Sequence, residues 1–381
     1  MKKILFVTSK HPLPSDSRDG GDSTVSEMVR AFGACCQLDI LFFRESDGDV
    51  KIPFVNKVFF QNTDFANYNC YSCQKGEKFL VRLQQAEISA KKIVCFASDY
   101  DVIIVQHAMF ILKLAEYDVH VFKKIILLPM FTGTEYIKAQ DYVPPIYIET
   151  EKIALRHTPK FITPGNVERE ILMHDYGIPT EKIFVIPRSI SGIEFTRRER
   201  CKKRLQLVYI ASIRHQKAHK EAIELFKHIK KSVPLAQLHC VGTVQDKNLF
   251  RECMMLLQEN SLDKDVIFHG TLNRTELNDL LRTCDINISV SLWETFGRGI
   301  FEGMSAGLPT VVLQRILSVN DFPKNIRPVI VPCIKKMVDE ILLLYEDENF
   351  FKAESHKGKL IQEYLSFERI QKVLQNVVLS A

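Results

Sequence analysis

The sequence has no apolar stretch long enough to cross a bilayer. Across 381 residues, no apolar run approaches the roughly 18 residues that a transmembrane helix needs. Residues 1–9 begin with a basic, apolar segment, but its apolar part spans only about five residues, which predicts a buried strand rather than a signal peptide. We therefore expect a cytoplasmic protein. Peripheral contact with the inner membrane face is the alternative, through the irregular, aromatic-rich residues 53–80 and a basic helix predicted over 77–96. A lid that packs on its own domain is the favoured interpretation of this stretch.

The sequence also lacks a strong excess of charge. The net charge is +5, with 46% apolar and 25% charged residues, which is an ordinary globular composition. A charge this small fits anionic ligands but does not indicate nucleic acid. The most basic run, residues 196–204, has no interleaved aromatic residues, so it predicts a solvated linker. We expect no nucleic-acid partner.

Metal-ligand spacing is nearly absent. Among ten cysteines only Cys70 and Cys73 have the spacing of zinc ligands, and no second pair follows. Asp47 and Asp49 flank a glycine in a polar segment, which favours a surface turn over a metal-bound nucleotide. We therefore expect no metal site, and free thiols in a reducing compartment.

Short apolar runs alternate with amphipathic segments of helical period along most of the chain. The first run, residues 2–8, is apolar on both faces, as in a strand inside a parallel sheet. The alternation and the length predict an α/β fold with two Rossmann-like, doubly wound parallel-sheet domains facing a cleft. The predicted parts are an N-terminal domain (1–190), a basic hinge (191–204), a C-terminal domain (205–355) and a terminal helix (356–381) that packs back on the first domain.

One segment, Ser289–Pro309, combines two carboxylates with a glycine turn. Its pattern predicts a strand, a turn at Gly297 and Gly299, a short helix and another strand. Free N–H groups and the positive end of the helix dipole make such a turn an anion site. Glu302 is predicted on the first helical turn, and Glu294 precedes it in the loop with seven residues between them. The flanking glycines and strands favour a functional pair over two ordinary surface carboxylates.

Other candidate residues lie where predicted strands end, which is the edge where parallel sheets bind ligands. Gly20 and Gly21 stand between the first strand and the first helix, where glycine lets a ligand approach the backbone closely. An ordinary turn is the alternative. His107 ends a later strand and could equally be a histidine with only structural hydrogen bonds. Gly242 and Gly270 end two strands of the second half.

These motifs resemble the retaining nucleotide-sugar glycosyltransferases of family four, which have the GT-B architecture. Residues 291–309 are similar to the family's E-x7-E signature. Residues 176–187, 217–219 and 266–270 resemble further family segments, and the resemblance extends over about residues 1–310.

The resemblance implies transfer of a sugar from a nucleoside diphosphate sugar, with uridine as the default base, to a glycan, lipid-linked or small-molecule acceptor. It implies retention of anomeric configuration and neither metal nor cofactor. Glu302 would bind the ribose, Glu294 would face the sugar, and Lys217 would neutralise the leaving diphosphate. The other implied positions are Phe296, Gly297, Arg298, Gly299, Ser212, Gly242, Gly270, Thr271 and Leu272 on the donor side, and His107, Gly20 and Gly21 on the acceptor side.

The sequence departs from the family pattern after the first strand of the second half. Family members usually have Gly-Arg there, with the arginine on the diphosphate, whereas this chain has Ala211 and Ser212. Arg214 could reach the same phosphate from two residues further on; otherwise Lys217 acts alone. Arg298 is a cation within the glycine turn and could contact an anionic sugar or acceptor.

Two alternative functions stay open. The same fold could serve a nucleotide-sugar epimerase or hydrolase. The substitution at Ala211 and Ser212 instead favours a catalytically inactive subunit that binds a nucleotide sugar. A nicotinamide dehydrogenase is disfavoured, because no Gly-x-Gly-x-x-Gly follows a predicted strand.

Overall fold

The described residues form two compact units. One comprises Met1–Pro187 with Ile370–Ala381, and the other comprises Arg188–Arg369. Asp47, Asp49, the Cys70–Cys73 pair and part of the predicted hinge, 197–203, lie outside the described residues. The structure, a computed structural model, describes residues 1–10, 20–43, 51–61, 77–130, 132–139, 142–196 and 204–380.

A parallel sheet of seven strands runs through the first unit. Its strands are β1 (Lys3–Thr8), β2 (Gln37–Phe42), β3 (Lys57–Phe60), β4 (Val102–Gln106), β5 (Ile125–Leu128), β6 (Lys160–Thr163) and β7 (Ile183–Val185). Their order is β3-β2-β1-β4-β5-β6-β7, so the direction of winding reverses between β1 and β4. Strand β4 is buried along its whole length because helices cover both faces of the sheet.

The helices of this unit follow the strands in alternation. On the longest helix, the inner face carries Ala86, Ala90 and Ile93, which are fully buried in the core. The helices are α1 (Gly20–Phe32), α2 (Glu77–Ala97), α3 (Leu114–Tyr117), α4 (Gly133–Lys138), α5 (Pro145–His157) and α6 (Asn166–His174).

The second unit repeats this plan with a parallel sheet of six strands. The strands are β8 (Gln206–Ile210), β9 (Gln237–Val241), β10 (Val266–Gly270), β11 (Ile286–Ser289), β12 (Thr310–Leu313) and β13 (Val329–Val331), in the order β10-β9-β8-β11-β12-β13. Leu207 and Tyr209 of β8 enter one core, while Val208 between them enters the core on the opposite face. The helices are α7 (His219–Ser232), α8 (Lys247–Glu259), α9 (Arg274–Thr283), α10 (Arg298–Ser305), α11 (Ile334–Glu346) and α12 (Glu348–Tyr364).

The last helix, α13 (Phe367–Leu379), belongs to the first unit from Ile370 onward. Its residues Leu374 and Val378 are buried. Lys2 donates from Nζ to the carbonyl oxygen of Leu379 at 2.8 Å, and Gln375 donates to the carbonyl oxygen of Ala31 at 2.6 Å. These bonds join α13 to the start of β1 and the end of α1.

The predicted fold class, two Rossmann-like domains with parallel sheets, is confirmed, but several predicted elements are wrong. Residues 53–80 are not irregular throughout, because β3 lies among them and pairs with β2. The single terminal helix predicted over 356–381 lies on two helices, since the helical pattern is interrupted at Leu365 and Ser366. Strand β13 was not predicted, because three residues are too short to show a period. Among the helices of the described residues, none is long and apolar enough to cross a membrane.

Candidate active site

The candidate donor residues gather where two neighbouring strands of the second sheet end. Strands β8 and β11 pair in parallel, and the order of strands reverses between them. Doubly wound sheets bind ligands at such a switch point, outside the carboxyl ends of the strands. Lys217 follows β8 and Glu294 follows β11, so both belong to this edge.

The amino end of α10 lies directly against the end of β8. A Cβ on Gly299 would be 2.1 Å from the carbonyl oxygen of Ile210, so only glycine allows this approach. Gly297 before it has a φ of 86°, the left-handed region that favours glycine. The free N–H groups of the helix start therefore lie at the carboxyl edge of the sheet. Glu302 is the fifth residue of the helix, so its prediction on the first turn is wrong: the helix begins at Arg298, inside the predicted turn.

Lys217 and Glu294 form an ion pair. The Lys217 ammonium donates to Oε1 of Glu294, and the two side chains are only 12% and 11% exposed. Burial lowers the pKa of Lys217; the positive charge of Arg214 lowers it further, while Glu294 opposes both. The positive charge of Arg214 therefore acts on Lys217, while its reach to a bound phosphate stays a prediction. Among the described residues, Arg214 Nε has no hydrogen-bond partner although it is buried.

A network of buried hydroxyl groups forms hydrogen bonds to this pair. Ser291 donates to Oε1 of Glu294 at 2.7 Å, and Tyr209 donates to the carbonyl oxygen of Lys217 at 2.6 Å. The two hydroxyl oxygens are 3.0 Å apart. Burial strongly raises the pKa of Tyr209, so it stays a neutral donor. The sequence did not reveal this network, because its members are about 80 positions apart in pairs such as Tyr209 and Ser291.

Further hydrogen bonds join the loop after β8 to the loop after β11. Leu292 N–H donates to the carbonyl oxygen of Gln216 at 2.8 Å, and the Gln216 amide donates to the carbonyl oxygen of Trp293 at 2.8 Å. Arg315, just after β12, donates from Nε to the carbonyl oxygen of Ser291 at 3.1 Å. Glu294 therefore stands on a loop that is fixed on two sides.

Glu302 has a cation of its own, which the sequence analysis missed. Arg274, the first residue of α9, donates from Nη1 to Oε1 of Glu302 at 3.0 Å. Glu302 is buried, whereas the Arg274 side chain is 38% exposed. Each carboxylate that flanks the amino end of α10 is thus paired with a positive charge.

Three donor-side candidates contact the protein itself through their side chains. Phe296 packs in the core against Phe301 and Phe322, which leaves only its backbone for a ligand. Arg298 donates to the carbonyl oxygen of Ser189 at 3.3 Å. Leu272 is half-buried against the same core.

Gly242 and Gly270 line up at the ends of β9 and β10. Gly242 N–H donates to the carbonyl oxygen of Gly270 at 2.8 Å. A Cβ on Gly242, which has a φ of 151°, would lie 2.3 Å from the carbonyl oxygen of Ala211. Gly242 therefore permits the close passage of Ala211 and the half-buried Ser212, while Thr271 beyond Gly270 is exposed.

The acceptor-side candidates lie at the corresponding edge of the first sheet. Gly20 and Gly21 open α1 after β1; their predicted place before the helix is wrong, because α1 already begins at Gly20. His107 follows β4, the neighbour of β1. Its φ of 103° is unusual for a side-chain-bearing residue, and its Nδ1 accepts from Met109 N–H at 3.1 Å. Strain of this kind is often found at functional positions.

These two doubly wound parallel sheets, each with ligand-type loops at its switch point, define the fold of the GT-B glycosyltransferases. A family model described as "Glycosyl transferases group 1" matches residues 193–359, which include both carboxylates and both of their cations. The chain is similar to this family over fewer than half of its residues, and its fold is of the GT-B type.

The chain is also similar to individual proteins. Mannosylfructose-phosphate synthase of Agrobacterium fabrum is 25% identical over 180 residues, a match that covers 43% of this chain and 40% of the relative's length. Among solved structures, sucrose-phosphate synthase of Thermosynechococcus elongatus superposes with a TM-score of 0.79 at 15% identity, over 99% of this chain and 98% of its own. HepE of Anabaena, solved in complex with UDP and glucose, superposes with a TM-score of 0.72 at 14% identity over the full length of both chains.

Proposed function

We propose that this chain is a retaining glycosyltransferase that moves a sugar from a nucleoside diphosphate sugar, with UDP as the preferred nucleotide, to a hydroxyl acceptor. The observation that carries the proposal is the buried Lys217–Glu294 pair beside the amino end of α10. A UDP complex of the structural neighbour HepE supports the choice of nucleotide.

The chemistry of the step fits these groups. The bond between the anomeric carbon and the diphosphate oxygen breaks, and its electron pair goes to the diphosphate. The acceptor hydroxyl oxygen forms the new bond on the same face, and its proton passes to the released diphosphate. In this proposal Lys217 and the N–H groups at the start of α10 stabilise the charge that develops on the leaving group. In the proposed arrangement Arg214 adds to this stabilisation in place of the family arginine.

The charge balance at Lys217 supports this role. Its ammonium is nearly buried and now neutralises Glu294. A bound donor would bring a diphosphate to the cation and the sugar to the carboxylate. Lys217 would then contact the diphosphate and Glu294 the sugar hydroxyls. Neither buried charge would be left without a polar partner.

Replacement of the two key side chains tests the proposal. We expect Lys217→Ala and Glu302→Ala to remain folded but to lose sugar transfer by about a hundredfold or more, the scale seen when a single transition-state donor is removed. Lys220→Ala is the matched control, because this lysine is nearby on α7 but forms an exposed ion pair with Glu252. Transfer should be followed with a panel of nucleotide sugars and acceptors. Wild-type rates in both variants would refute the proposed site.

A catalytically inactive nucleotide-sugar-binding subunit is a second candidate, favoured by Ala211 and Ser212 at the usual Gly-Arg position. Incubation with donors alone separates the possibilities. Tight nucleotide binding with no turnover across the panel would support the inactive subunit, whereas an epimer or free sugar without acceptor would support an epimerase or hydrolase.

The acceptor side stays a prediction. We propose that His107, Gly20 and Gly21 contribute to acceptor binding, that no metal or cofactor takes part, and that any membrane contact is peripheral. Transfer in the presence of excess chelator, compared with added Mg²⁺, tests the metal-independent part.

A further inference from the structure

Arg274 is the one partner of the Glu302 carboxylate among the described residues. Its guanidinium holds Oε1 and leaves Oε2 for a ligand. Since the Arg274 side chain is 38% exposed, its remaining N–H donors are also within reach of a ligand that approaches Glu302.

The position of Arg274 is fixed by the chain around it. Asn273 and Glu276 form a reciprocal capping box, with bonds of 2.8 and 3.0 Å, that sets the first turn of α9. A Cβ on Gly192 would lie 3.2 Å from Cγ of Arg274, so the arginine stem runs close over this glycine. Asn278 further along α9 donates to the carbonyl oxygen of Gly192 at 2.8 Å, which holds that segment in place.

A carboxylate alone is an incomplete receptor for a ribose. It can only accept hydrogen bonds, whereas each ribose hydroxyl is both a donor and an acceptor. A carboxylate joined to a guanidinium offers acceptors and donors side by side. The arginine also neutralises a carboxylate that would otherwise stand close to an anionic diphosphate.

We propose that Arg274 is a specificity-determining residue for the ribose of the nucleotide. Glu302 accepts from one ribose hydroxyl, and Arg274 donates to the oxygen of the neighbouring hydroxyl. This inference rests on the proposed nucleotide-sugar function and adds a residue to it. The consequence is selection of ribonucleotides against deoxyribonucleotides by an arginine and a glutamate together.

The test compares hydroxyl-deficient nucleotides across matched variants. Dissociation constants for UDP, 2′-deoxy-UDP and 3′-deoxy-UDP are measured by calorimetry for the wild type, Arg274→Ala, Arg274→Lys and Arg282→Ala. Arg282 is the control, because it lies on the same helix α9 but pairs with Glu194 and Asp279 on the surface. Unfolding temperatures without ligand show that each variant is folded.

In the wild type and in Arg282→Ala, we expect removal of the hydroxyl read by Arg274 to weaken binding about tenfold, the scale of one charge-assisted hydrogen bond. In Arg274→Ala, UDP itself should bind about tenfold more weakly, and that deoxy analogue should bind about as well as UDP. Arg274→Lys should recover part of the affinity, since the charge is kept while the planar fork is lost.

Two results would overturn the inference and are distinguishable from each other. If Arg274→Ala keeps the wild-type ratios of the dissociation constants for UDP and both deoxy analogues, Arg274 does not contact a ribose hydroxyl. The proposed function would still stand. If the wild-type protein binds no UDP and no GDP or ADP at millimolar concentration, the nucleotide-binding function fails, and the inference fails with it.

Discussion

At Gly299 a single methyl group decides whether α10 can lie against β8. A Cβ there would meet the backbone of Ile210 at the end of β8 at 2.1 Å, and the backbone of a paired strand cannot move aside as a flexible side chain can.

Gly299→Ala should therefore displace the start of α10 and weaken nucleotide binding. We expect a loss of about 1–3 kcal/mol in the free energy of unfolding, which is the usual scale of overpacking. Nucleotide affinity should also fall, because the N–H groups at the start of α10 are displaced. Gly177→Ala is the control, since a Cβ there would meet nothing within 4 Å, although Gly177 has a φ of 67°. A thermal-shift titration with UDP measures both effects, and equal nucleotide-induced shifts in the two variants would contradict the prediction.

Glu151 is a carboxyl group buried inside the first unit. Its Oε2 accepts from Gly133 N–H at 2.6 Å and from the hydroxyl of Tyr176. Burial raises its pKa from 4.5 to about 7; the charge of Glu168 adds to this, while the hydrogen bonds and the charge of Arg82 act in the opposite direction.

This carboxyl makes stability depend on pH. Because its folded pKa lies above its unfolded pKa, the folded state binds the proton more tightly, and stability falls as pH rises from about 4.5 to about 7. We expect Glu151→Gln to remove this part of the pH dependence and to be more stable than the wild type above about pH 7. Unfolding temperatures measured across this range test it; parallel profiles for both proteins would show that Glu151 does not titrate as described.

The sequence identified the chemistry of individual residues better than their partners. Glu294, Glu302 and Lys217 stood out because glycines and strand ends marked their surroundings. The pairing of Glu302 with Arg274 could not be predicted, since it depends on how α9 and α10 pack across the sheet. Arg315 escaped notice for the same reason: it follows β12, yet its hydrogen bonds reach the loop after β11.

At the scale of elements, Arg315 connects three pieces of the site. Besides its bond to Ser291, it donates to the carbonyl oxygen of Val290 at 2.6 Å and to Glu221 on α7 at 2.7 Å. The loop that carries Glu294 is thereby tied to the helix that follows Lys217.

Loss of this connection should slow transfer more than it weakens donor binding. We expect Arg315→Ala to lower kcat about tenfold, because the Glu294 loop gains freedom, with a smaller change in KM. Arg315→Lys should restore part of the rate. Arg251→Ala is the control, since Arg251 is exposed on α8. Steady-state kinetics would contradict the prediction if Arg315→Ala raised KM alone.

Elements with a long apolar run or a long helical period were predictable, whereas some short or interrupted ones were not. Strand β1 is marked by an unbroken apolar run, and α2 has 21 residues over which its helical period repeats. Strand β3 has four residues within an aromatic-rich stretch, so its pairing with β2 becomes visible only in the sheet. The break between α12 and α13 has no proline or glycine at Leu365 and Ser366, so the strongest helix-breaking residue types do not mark it.

At the scale of the whole molecule, the two units have separate cores, so a destabilising substitution in one core should leave the stability of the other unit unchanged. Leu374 on α13 is buried and belongs to the first unit, whereas the candidate donor site lies in the second.

Leu374→Ala should destabilise the first unit by about 2–5 kcal/mol while leaving nucleotide affinity of the second nearly unchanged. Urea unfolding with calorimetric UDP binding at low urea measures both quantities. Val373→Ala is the control, because Val373 is on the same helix and exposed. A parallel loss of nucleotide affinity in Leu374→Ala would show that the units do not act independently.

The placement of α13 also has a consequence for synthesis. The first unit needs residues from both ends of the sequence, since Lys2 and Ala31 bond to a helix that begins at Phe367. On the ribosome, its sheet can form early, but the surface that receives α13 must wait until all of Arg188–Arg369 has been made. During that interval we expect the apolar surface that α13 later covers to be exposed, so that chaperones or other chains can bind it. The first unit should therefore resist aggregation only after α13 has been translated.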